Sequence, residues 1–453
     1  MISAQNRLRP LNGSSLFTVL VYIFMLHANS TWCTSSSAIE SKGQAVSSLS
    51  IAHTIPPATE KNALKDKVEQ AILKPETDSL WQPQLPVFKD NYEILLLIPL
   101  NADKALSGNI SRSKYLHFYA GMLLGLQHLN ANKNMIKLRV VDTYSEIYKQ
   151  KLIKKQVLYP APDLVLGPLD REEVKSTAEE ALEQKVSMIS PWHTSTRIAS
   201  DNPYYIQLKP NLKAHYRKIV SHATQQFNKG EIAVVTKKGK EGKSWYSYFQ
   251  EQAEIQTGDR NYFFHYELHE DSLKYGTAFH NLFAKNTVSA VILPNYSFGD
   301  EEDVYHIMRK LAAEKGMTQM SLYGMPLLFD SEKIDFDLHY ALNTRVVMSD
   351  FVDHTDIRVQ DFKRRFLDEY GEIPMDDAVK GYDLMIFAGK SLIEHGLFFQ
   401  FQPALETDDF LQANINLLKI KSEDSLQNMV KSFYENDHLD IIEFFQARFT
   451  KIY

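Results

Sequence analysis

From Tyr92 to about residue 395, short apolar runs alternate with stretches of helical period. The helical stretches carry apolar side chains three and four positions apart, as at Leu116, Tyr119, Ala120 and Leu123. Such alternation predicts parallel sheets that are covered by helices on both faces. The apolar runs with strand character are Ile94–Ile98, Ile136–Val141, Leu164–Leu166, Val186–Ile189, Ile232–Val235, Ala290–Leu293, Met320–Tyr323 and Val346–Met348.

The number of strand–helix units is too large for one small sheet. The chain has 453 residues, which is enough for two lobes of ordinary domain size. We therefore expect the strands that start near Glu93 and Glu231 to belong to two different sheets. In open α/β sheets, ligands bind beyond the carboxyl ends of the strands. Two lobes that face each other at those ends would enclose a binding cleft.

The first 33 residues have the pattern of an export signal. Two arginines supply a positive start, and the almost entirely apolar run Leu16–Leu26 follows. This run is too short to span a bilayer comfortably, since a span takes ~20 residues. Small residues at Ala28 and Ser30 have the spacing that a signal peptidase prefers. We predict a signal peptide over residues 1–33, with an uncleaved membrane anchor as the alternative.

Cys33 is the only cysteine, so no disulfide can form within the chain. Its place shortly after the apolar run favours a lipoprotein, in which acyl chains on this cysteine hold the protein on a membrane. Lipoprotein signals resemble Leu-small-small-Cys, and Ser30 and Trp32 depart from that pattern. Lipidation and ordinary signal cleavage therefore both remain open.

Residues 34–90 are predicted to be an extended or disordered tether, because they are first rich in Ser and then interrupted by several Pro.

Composition and charge narrow the classes of function. An apolar fraction of 44% predicts a globular chain rather than a disordered one. Lys and Arg number 50 against 56 Asp and Glu, and no basic block occurs, which argues against nucleic acid as a partner. The sequence has no HExxH, no cysteine cluster and no G-x-S-x-G motif. We therefore expect no metal, no cofactor and no catalytic nucleophile, and interpret the chain as a non-enzyme.

Two further motifs are rejected because of their surroundings. Residues 242–244 (GKS) match the end of a P-loop, but Lys237 stands where the first glycine of that motif belongs. His265 and His269 are four positions apart, as helical zinc ligands are. Their setting is typical of a strand, where residues four apart are ~13 Å distant.

Six segments resemble, in the same order, those of type 1 periplasmic-binding proteins, and together they cover residues 92 to about 395. The sequences of these segments are most similar to cell-envelope proteins of Bacteroidetes type, some of which carry a LysM domain. Residues 34–90 show no LysM pattern. The segments are Tyr92–Leu100, Phe118–Asn130, Ile136–Thr143, Asp163–Pro168, Val186–Ser195 and Phe366–Asp383.

The resemblance implies a two-lobed α/β fold in which the chain crosses between the lobes three times. Each lobe would be a parallel sheet flanked by helices. We place lobe one at about 92–208 and 349–395, and lobe two at about 209–348 and 396–453.

The resemblance also implies a function. It predicts an exported protein that binds a small polar ligand, an amino acid or a related compound, in the interlobe cleft for ABC-type transport or sensing. The expected partner is then a permease, and the expected location the periplasm or the outer membrane. The same fold also occurs in an outer-membrane lipoprotein that activates peptidoglycan synthases through protein contacts. An envelope scaffold that contacts cell-wall proteins is therefore the alternative.

The loop Ser190–Thr196 is the best candidate for the ligand site. In the family, matching hydroxyls and backbone N–H groups hold the carboxylate of an amino acid, and Thr194 and Ser195 fit that pattern. Trp192 and His193 replace residues that are small in the family, and would stack on a ligand or fill the pocket. An ordinary strand–helix turn capped by Thr194 or Ser195 is the alternative.

Four other residues are weighed as ligand contacts. Asp170 follows the Gly-Pro turn after a strand, but its spacing to Glu173 favours an N-cap without a ligand role. Tyr296 and Ser297 follow the strand Ala290–Leu293, where a solvated loop is the alternative. Asp350 lies near the expected second crossing and would recognise an amine, although such residues more often cap or solvate.

Lipidation of Cys33 can be tested directly. A lipidated protein partitions into detergent and incorporates labelled palmitate, because acyl chains are then attached to the cysteine. Cys33→Ala should abolish both properties. A soluble mature form that begins near Thr31 would instead establish ordinary signal cleavage.

Overall fold

The computed structural model describes residues 84–102, 110–131, 133, 135–196, 198–199, 201–424 and 429–452. The predicted signal peptide, Cys33 and most of the predicted tether lie outside these residues. The last part of that tether differs from the prediction, since residues 84–90 contact the folded chain. The Gln84 side chain donates to the Tyr204 hydroxyl at 2.7 Å, and Val87 pairs with Leu397 in an isolated bridge.

Fourteen strands form two sheets of seven strands each among these residues. The strands are β1 (Tyr92–Ile98), β2 (Ile136–Asp142), β3 (Leu164–Leu166), β4 (Ser187–Ser190), β5 (Tyr205–Gln207), β6 (Ile232–Lys237), β7 (Phe264–Leu268), β8 (Ala290–Leu293), β9 (Ser321–Gly324), β10 (Thr344–Met348), β11 (Leu417–Asp424), β12 (Met429–Asn436), β13 (Asp440–Phe445) and β14 (Arg448–Lys451).

Helices fill most of the connections between the strands. No helix among the described residues is long and apolar enough to cross a membrane. The helices are α1 (Ile110–Leu129), α2 (Glu146–Ile153), α3 (Arg171–Gln184), α4 (Leu212–Gln226), α5 (Lys240–Thr257), α6 (Glu270–Lys274), α7 (His280–Lys285), α8 (Glu301–Glu314), α9 (Leu327–Asp330), α10 (Phe336–Leu342), α11 (Ile357–Tyr370) and α12 (Asp376–His395).

The two sheets define two lobes. The first sheet has the order β11-β12-β5-β4-β3-β1-β2, and the second has the order β14-β13-β10-β9-β8-β6-β7. Pairing is parallel throughout except for β11 with β12, β10 with β13 and β13 with β14. Since β1 and β6 lie in different sheets, the two-lobe prediction is confirmed. All eight predicted apolar runs fall on strands, whereas β5 and the last four strands were not predicted.

Each sheet is buried on both faces, as its near-continuous apolar strands require. Along β1, Ile94 and Leu96 pack with α1, α11 and α12, whereas Leu95 and Leu97 pack with α2 and α3 on the opposite face. The second sheet is covered by α4 and α5 on one face and by α7, α8 and α10 on the other. Side chains of a strand alternate between faces, so one run of apolar residues fills two cores.

Three chain segments cross between the lobes, as predicted. They are residues 208–211, 349–352 and 437–439, which connect β5 to α4, β10 to α11 and β12 to β13. The third crossing differs in position from the prediction, which assigned all of 396–453 to lobe two. In the structure β11 and β12 extend the first sheet, and only β13 and β14 join the second.

Helices α1 and α12 approach each other closely in the core of lobe one. Gly121 faces the backbone of Ala378, and Gly381 faces the backbone of Phe118. A Cβ added at either glycine would overlap a carbonyl oxygen of the opposite helix. Glycine is therefore needed here for close approach, although it weakens a helix interior by about 1 kcal/mol relative to alanine.

Gly381→Ala should destabilise the protein in spite of the higher helix propensity of alanine. Forcing the two backbones apart costs about 1–3 kcal/mol, as other overpacking substitutions do. The expected result is a melting temperature several degrees lower in a calorimetric scan. Gly299→Ala is the matched control, because a Cβ there meets only the Ser297 Oγ at 3.4 Å. An unchanged melting temperature for Gly381→Ala would contradict the close contact.

Candidate functional site: the interlobe cleft and its hinge

A cavity of about 330 Å³ lies between the lobes, and we call it the cleft cavity. Thr194 from the loop after β4 lines it on lobe one, and Phe329 and Asp330 from α9 line it on lobe two. The first two crossings contribute Lys209 and Asp350. The cavity therefore lies beyond the carboxyl ends of strands from both sheets, where α/β folds place their ligands. Its volume is sufficient for a small ligand.

Three charged side chains are joined at the hinge side of this cavity. The Asp350 carboxylate accepts from the Lys209 ammonium at 3.2 Å and lies 3.0 Å from the Lys380 ammonium. Burial alone would raise the pKa of Asp350, but the two ammonium groups outweigh it and hold that pKa below its ordinary value. Because each ammonium has three N–H donors, both lysines keep donors that a ligand can use.

Asp330 faces the cavity from lobe two. Within the described part of the chain, its carboxylate has no hydrogen-bond or ion-pair partner, and its side chain is exposed. Desolvation by the surrounding protein atoms raises the pKa of Asp330, and the negative charge of Asp350 adds to that effect, whereas the positive charges of Lys380 and Lys209 oppose it. A cation that enters the cleft would stabilise the ionised form of the Asp330 carboxylate.

A buried carboxylate joins the first and third crossings. Glu435, at the end of β12, accepts from the Asn211 backbone N–H at 3.0 Å and from the side-chain amides of Asn211 and Gln207, both at 2.9 Å. Asn211 is also the N-cap of α4, the first helix of lobe two. Burial raises the pKa of Glu435 to about 7, against the opposing effect of the Asn211 hydrogen bonds. The hinge is thus held by a group that titrates near neutrality.

The predicted loop after β4 reaches the cleft through one of its four candidate residues. Thr194 is exposed and lines the cleft cavity, whereas Ser195 is half-buried and is not part of that wall. The Trp192 ring packs against Phe118, with ring centroids 5.3 Å apart. The His193 Nε2–H donates to the Leu169 carbonyl at 2.6 Å, which joins the loops after β3 and β4.

Two of the predicted ligand contacts form helix caps in the structure. Asp170 accepts from the backbone N–H groups of Glu172 and Glu173 at 3.0 and 3.2 Å, so it is the N-cap of α3. Ser297 accepts from the Gly299 N–H at 3.1 Å and caps a short 3-10 turn. Neither residue lines the cleft cavity. The cap at Asp170 matches the alternative given for that residue above, whereas the alternative given for Ser297 was a solvated loop.

Tyr296 is exposed and makes an edge contact with Trp245 rather than lining the cleft cavity. Asp350 does line it, although paired with lysines and not free to meet an amine. Lys209, Lys380 and Asp330 were not anticipated as site residues. Only Lys209 has a sequence signal, since it lies at the boundary between the lobes that was predicted from the sequence.

The two rejected motifs have structural explanations. Lys237 forms an ion pair with Asp303, and α5 begins at Lys240, within the P-loop-like sequence. His265 lies in β7 and stacks on Tyr246 with ring centroids 4.4 Å apart. The strand predicted around His265 is therefore confirmed.

The sequence matches no protein-family model and no curated protein. The fold, however, is that of type 1 periplasmic-binding proteins. A Rhodospirillum rubrum protein assigned to branched-chain amino acid ABC transport superimposes with a TM-score of 0.56 at 15% identity, covering 80% of this chain and 100% of the other. A branched-chain amino acid ABC transporter periplasmic ligand-binding protein from Burkholderia xenovorans gives 0.53 at 12%, covering 80% and 95%.

An ABC transporter substrate-binding protein from Desulfitobacterium hafniense, solved in complex with Leu, superimposes with a TM-score of 0.50 at 16% identity. It covers 80% of this chain and 100% of the other. At these identities the likeness establishes the fold and leaves the ligand to be argued from the cleft. The narrower resemblance to Bacteroidetes-type envelope proteins stays a prediction.

The titration of Glu435 should make the free energy of unfolding depend on pH. Its folded-state pKa of about 7 exceeds the ordinary 4.5, so the folded state binds a proton at Glu435 more tightly than the unfolded state does. Proton binding at Glu435 therefore contributes to the free energy of unfolding. That contribution is fully present below pH 4.5 and is lost as the pH rises through about 7. The free energy of unfolding, relative to Glu435→Gln, should therefore fall by about 3 kcal/mol between pH 4.5 and 8. Urea unfolding at several pH values measures it.

Glu332→Gln is the control for this experiment, because Glu332 is exposed. The difference in unfolding free energy between the unmodified protein and this control variant provides the baseline for removal of an exposed carboxylate over the same interval. A pH-independent difference for Glu435→Gln would contradict a buried, titrating hinge carboxylate.

Proposed function

We propose that the chain is an exported, non-enzymatic solute-binding protein whose lobes close on a small ligand carrying both a carboxylate and an ammonium group. The distribution of charge around the cleft cavity is the observation that carries this proposal. Lys209 and Lys380 lie on the side of lobe one and the hinge, and the unpaired Asp330 lies on lobe two. A dipolar ligand of this kind, such as an amino acid or a short peptide, satisfies both sides at once.

The proposed contacts follow from the chemistry of these groups. The ligand carboxylate accepts from the remaining N–H donors of the two lysines and from the Thr194 hydroxyl. The ligand ammonium pairs with Asp330. Since the two ends of the ligand contact different lobes, binding favours the closed cleft over the open one.

The fold supports this role without specifying the ligand. The similar proteins belong to ABC transport, and one of them was solved with Leu. We extend the proposal to a periplasmic or outer-membrane location and to delivery of the ligand to an ABC-type permease, or to sensing of it.

An envelope scaffold is the second candidate. One observation favours it, because Asp350 already places a carboxylate on the two lysines and the cleft is largely charge-compensated without a ligand. In that case cell-wall proteins would contact the surface, and the cleft would not bind a solute.

Thr194→Ala and Asp330→Asn test the solute-binding proposal. Each variant removes one charge-assisted contact worth about 1.5–3 kcal/mol, so each should weaken ligand binding roughly tenfold or more. The ligand is first found by thermal-shift screening of amino acids, peptides and muropeptides, since a ligand at about a hundred times its Kd stabilises the fold by ~2.7 kcal/mol. Isothermal titration then gives the Kd of each variant.

Asp337→Asn is the matched control, because Asp337 is exposed on α10 and does not line the cleft cavity. Its Kd should equal that of the unmodified protein. If no compound shifts the melting curve and a cell-wall protein co-purifies with the chain, the scaffold replaces the solute-binding proposal.

A further inference from the structure

A second cavity, of about 140 Å³, adjoins the cleft cavity at the hinge, and we call it the hinge cavity. The two cavities share Lys209, Asp350 and Lys380 in their walls. The ion-paired side chains of Lys209, Asp350 and Lys380 therefore lie at the boundary between the cleft cavity and the hinge cavity. Apolar side chains make up much of the wall of the hinge cavity, among them Phe118, Trp192, Leu208, Val352, Leu384 and Ile415.

The buried polar side chains of this wall are already satisfied. The Asp383 carboxylate accepts from the backbone N–H groups of residues 411–413 at 2.7 to 2.9 Å. The Asn436 Oδ1 accepts from the backbone N–H groups of Asn416 and His438 at 2.9 and 3.1 Å. A polar ligand would lose hydrogen bonds to water without gaining hydrogen bonds to Asp383 or Asn436. An apolar ligand has no hydrogen bonds to water to lose.

The volume sets the size of the occupant. Apolar cavities of about 150 Å³ in other proteins stay dry and bind benzene or xenon. The hinge cavity is close to that volume. Its wall combines aromatic and aliphatic side chains with polar ones, and the charged side chains of Lys209, Asp350 and Lys380 lie where it meets the cleft cavity. One benzene-sized molecule would fill the hinge cavity.

Two of the three crossings contribute to the wall, together with the end of the strand that leads into the third. Leu208 comes from the first crossing, Val352 from the second, and Asn436 from the residue before the third. Phe118 and Leu384 belong to helices α1 and α12 of lobe one. A rotation of the lobes changes the backbone angles of the crossings and therefore the shape of this cavity.

We propose that the hinge cavity is a binding site for one small uncharged aromatic molecule, and that its occupancy restricts the angle between the lobes. The occupant contacts the crossings on one side and the rigid helices of lobe one on the other, so it stabilises the lobe angle at which the cavity fits it. This site adjoins the proposed solute site, since both cavities are lined by Lys209, Ser349, Asp350, Val352 and Lys380. The occupant uses the apolar part of the wall, so the proposal does not depend on the identity of the solute.

Fluorobenzene is the probe for binding to the full chain, observed by ¹⁹F NMR. The expected result is saturable binding with one molecule per chain. Leu208→Phe fills part of the cavity and should weaken that binding at least tenfold. Leu338→Phe is the matched control, since Leu338 is a half-buried leucine on α10 that does not line the hinge cavity, and should leave the binding unchanged.

A second pair of variants covers the case in which Leu208→Phe does not fold. Ile415→Phe fills the cavity from the loop that follows α12, and Ile393→Phe is a half-buried control outside the wall. Absence of saturable binding to the unmodified protein would overturn the site. Equal affinity of the filling variants and their controls would overturn it as well.

Spin labels test the effect on the lobe angle. Cys33→Ser removes the native thiol, and Lys154→Cys and Met317→Cys place one label on an exposed position of each lobe. Saturating fluorobenzene should narrow the distribution of distances between the labels, and Leu208→Phe should abolish the change. A distribution that is unaffected by bound fluorobenzene would refute the coupling to the hinge.

Discussion

The carboxylate of Asp350 determines the arrangement of the whole interlobe region. It lies on the second crossing and pairs with Lys209 on the first crossing and with Lys380 on α12. One side chain therefore ties two of the three connections to the most buried helix of lobe one. Without it, two ammonium groups would face each other at the hinge, and their repulsion would favour a different position of the crossings. The walls of both cavities depend on this arrangement.

The third connection is held by a different kind of interaction. Glu435 is completely buried and relies on amide donors rather than on a countercharge. A paired carboxylate at one crossing keeps its negative charge over the whole physiological range, whereas the carboxylate at the other is near its own pKa. The hinge thus combines a connection that is insensitive to pH with one that responds to it.

The fold could be predicted from the sequence because its strands are short, apolar and separated by helices. Runs such as Ile232–Val235 have few alternatives to a buried strand. The final hairpins, β11–β12 and β13–β14, were harder to predict from the local sequence pattern. An edge strand such as β11 can extend either sheet, and the choice depends on long-range pairing with β5 through β12. The lobe assignment of residues 396–436 therefore could not be made from the local pattern.

The candidate site was predicted only where it follows directly from a strand end. Thr194 lies in such a loop, whereas Lys380 and Asp330 lie on helices and reach the cleft through tertiary packing. Asp170 and Ser297 show a second limit. A hydroxyl or carboxylate at a helix start is favoured equally by capping and by ligand binding, so the residue type alone does not separate the two roles.

The close contact between α1 and α12 has a consequence for synthesis of the chain. Gly121 and Gly381 are about 260 residues apart, and all the strands of the second sheet except the last two lie between them. At the usual rate of translation, α1 leaves the ribosome roughly 10–50 s before its partner helix. The apolar face of α1 remains uncovered for that interval, while most of lobe two is already complete. Lobe one, although it begins first, is completed only after five of the seven strands of lobe two have been made.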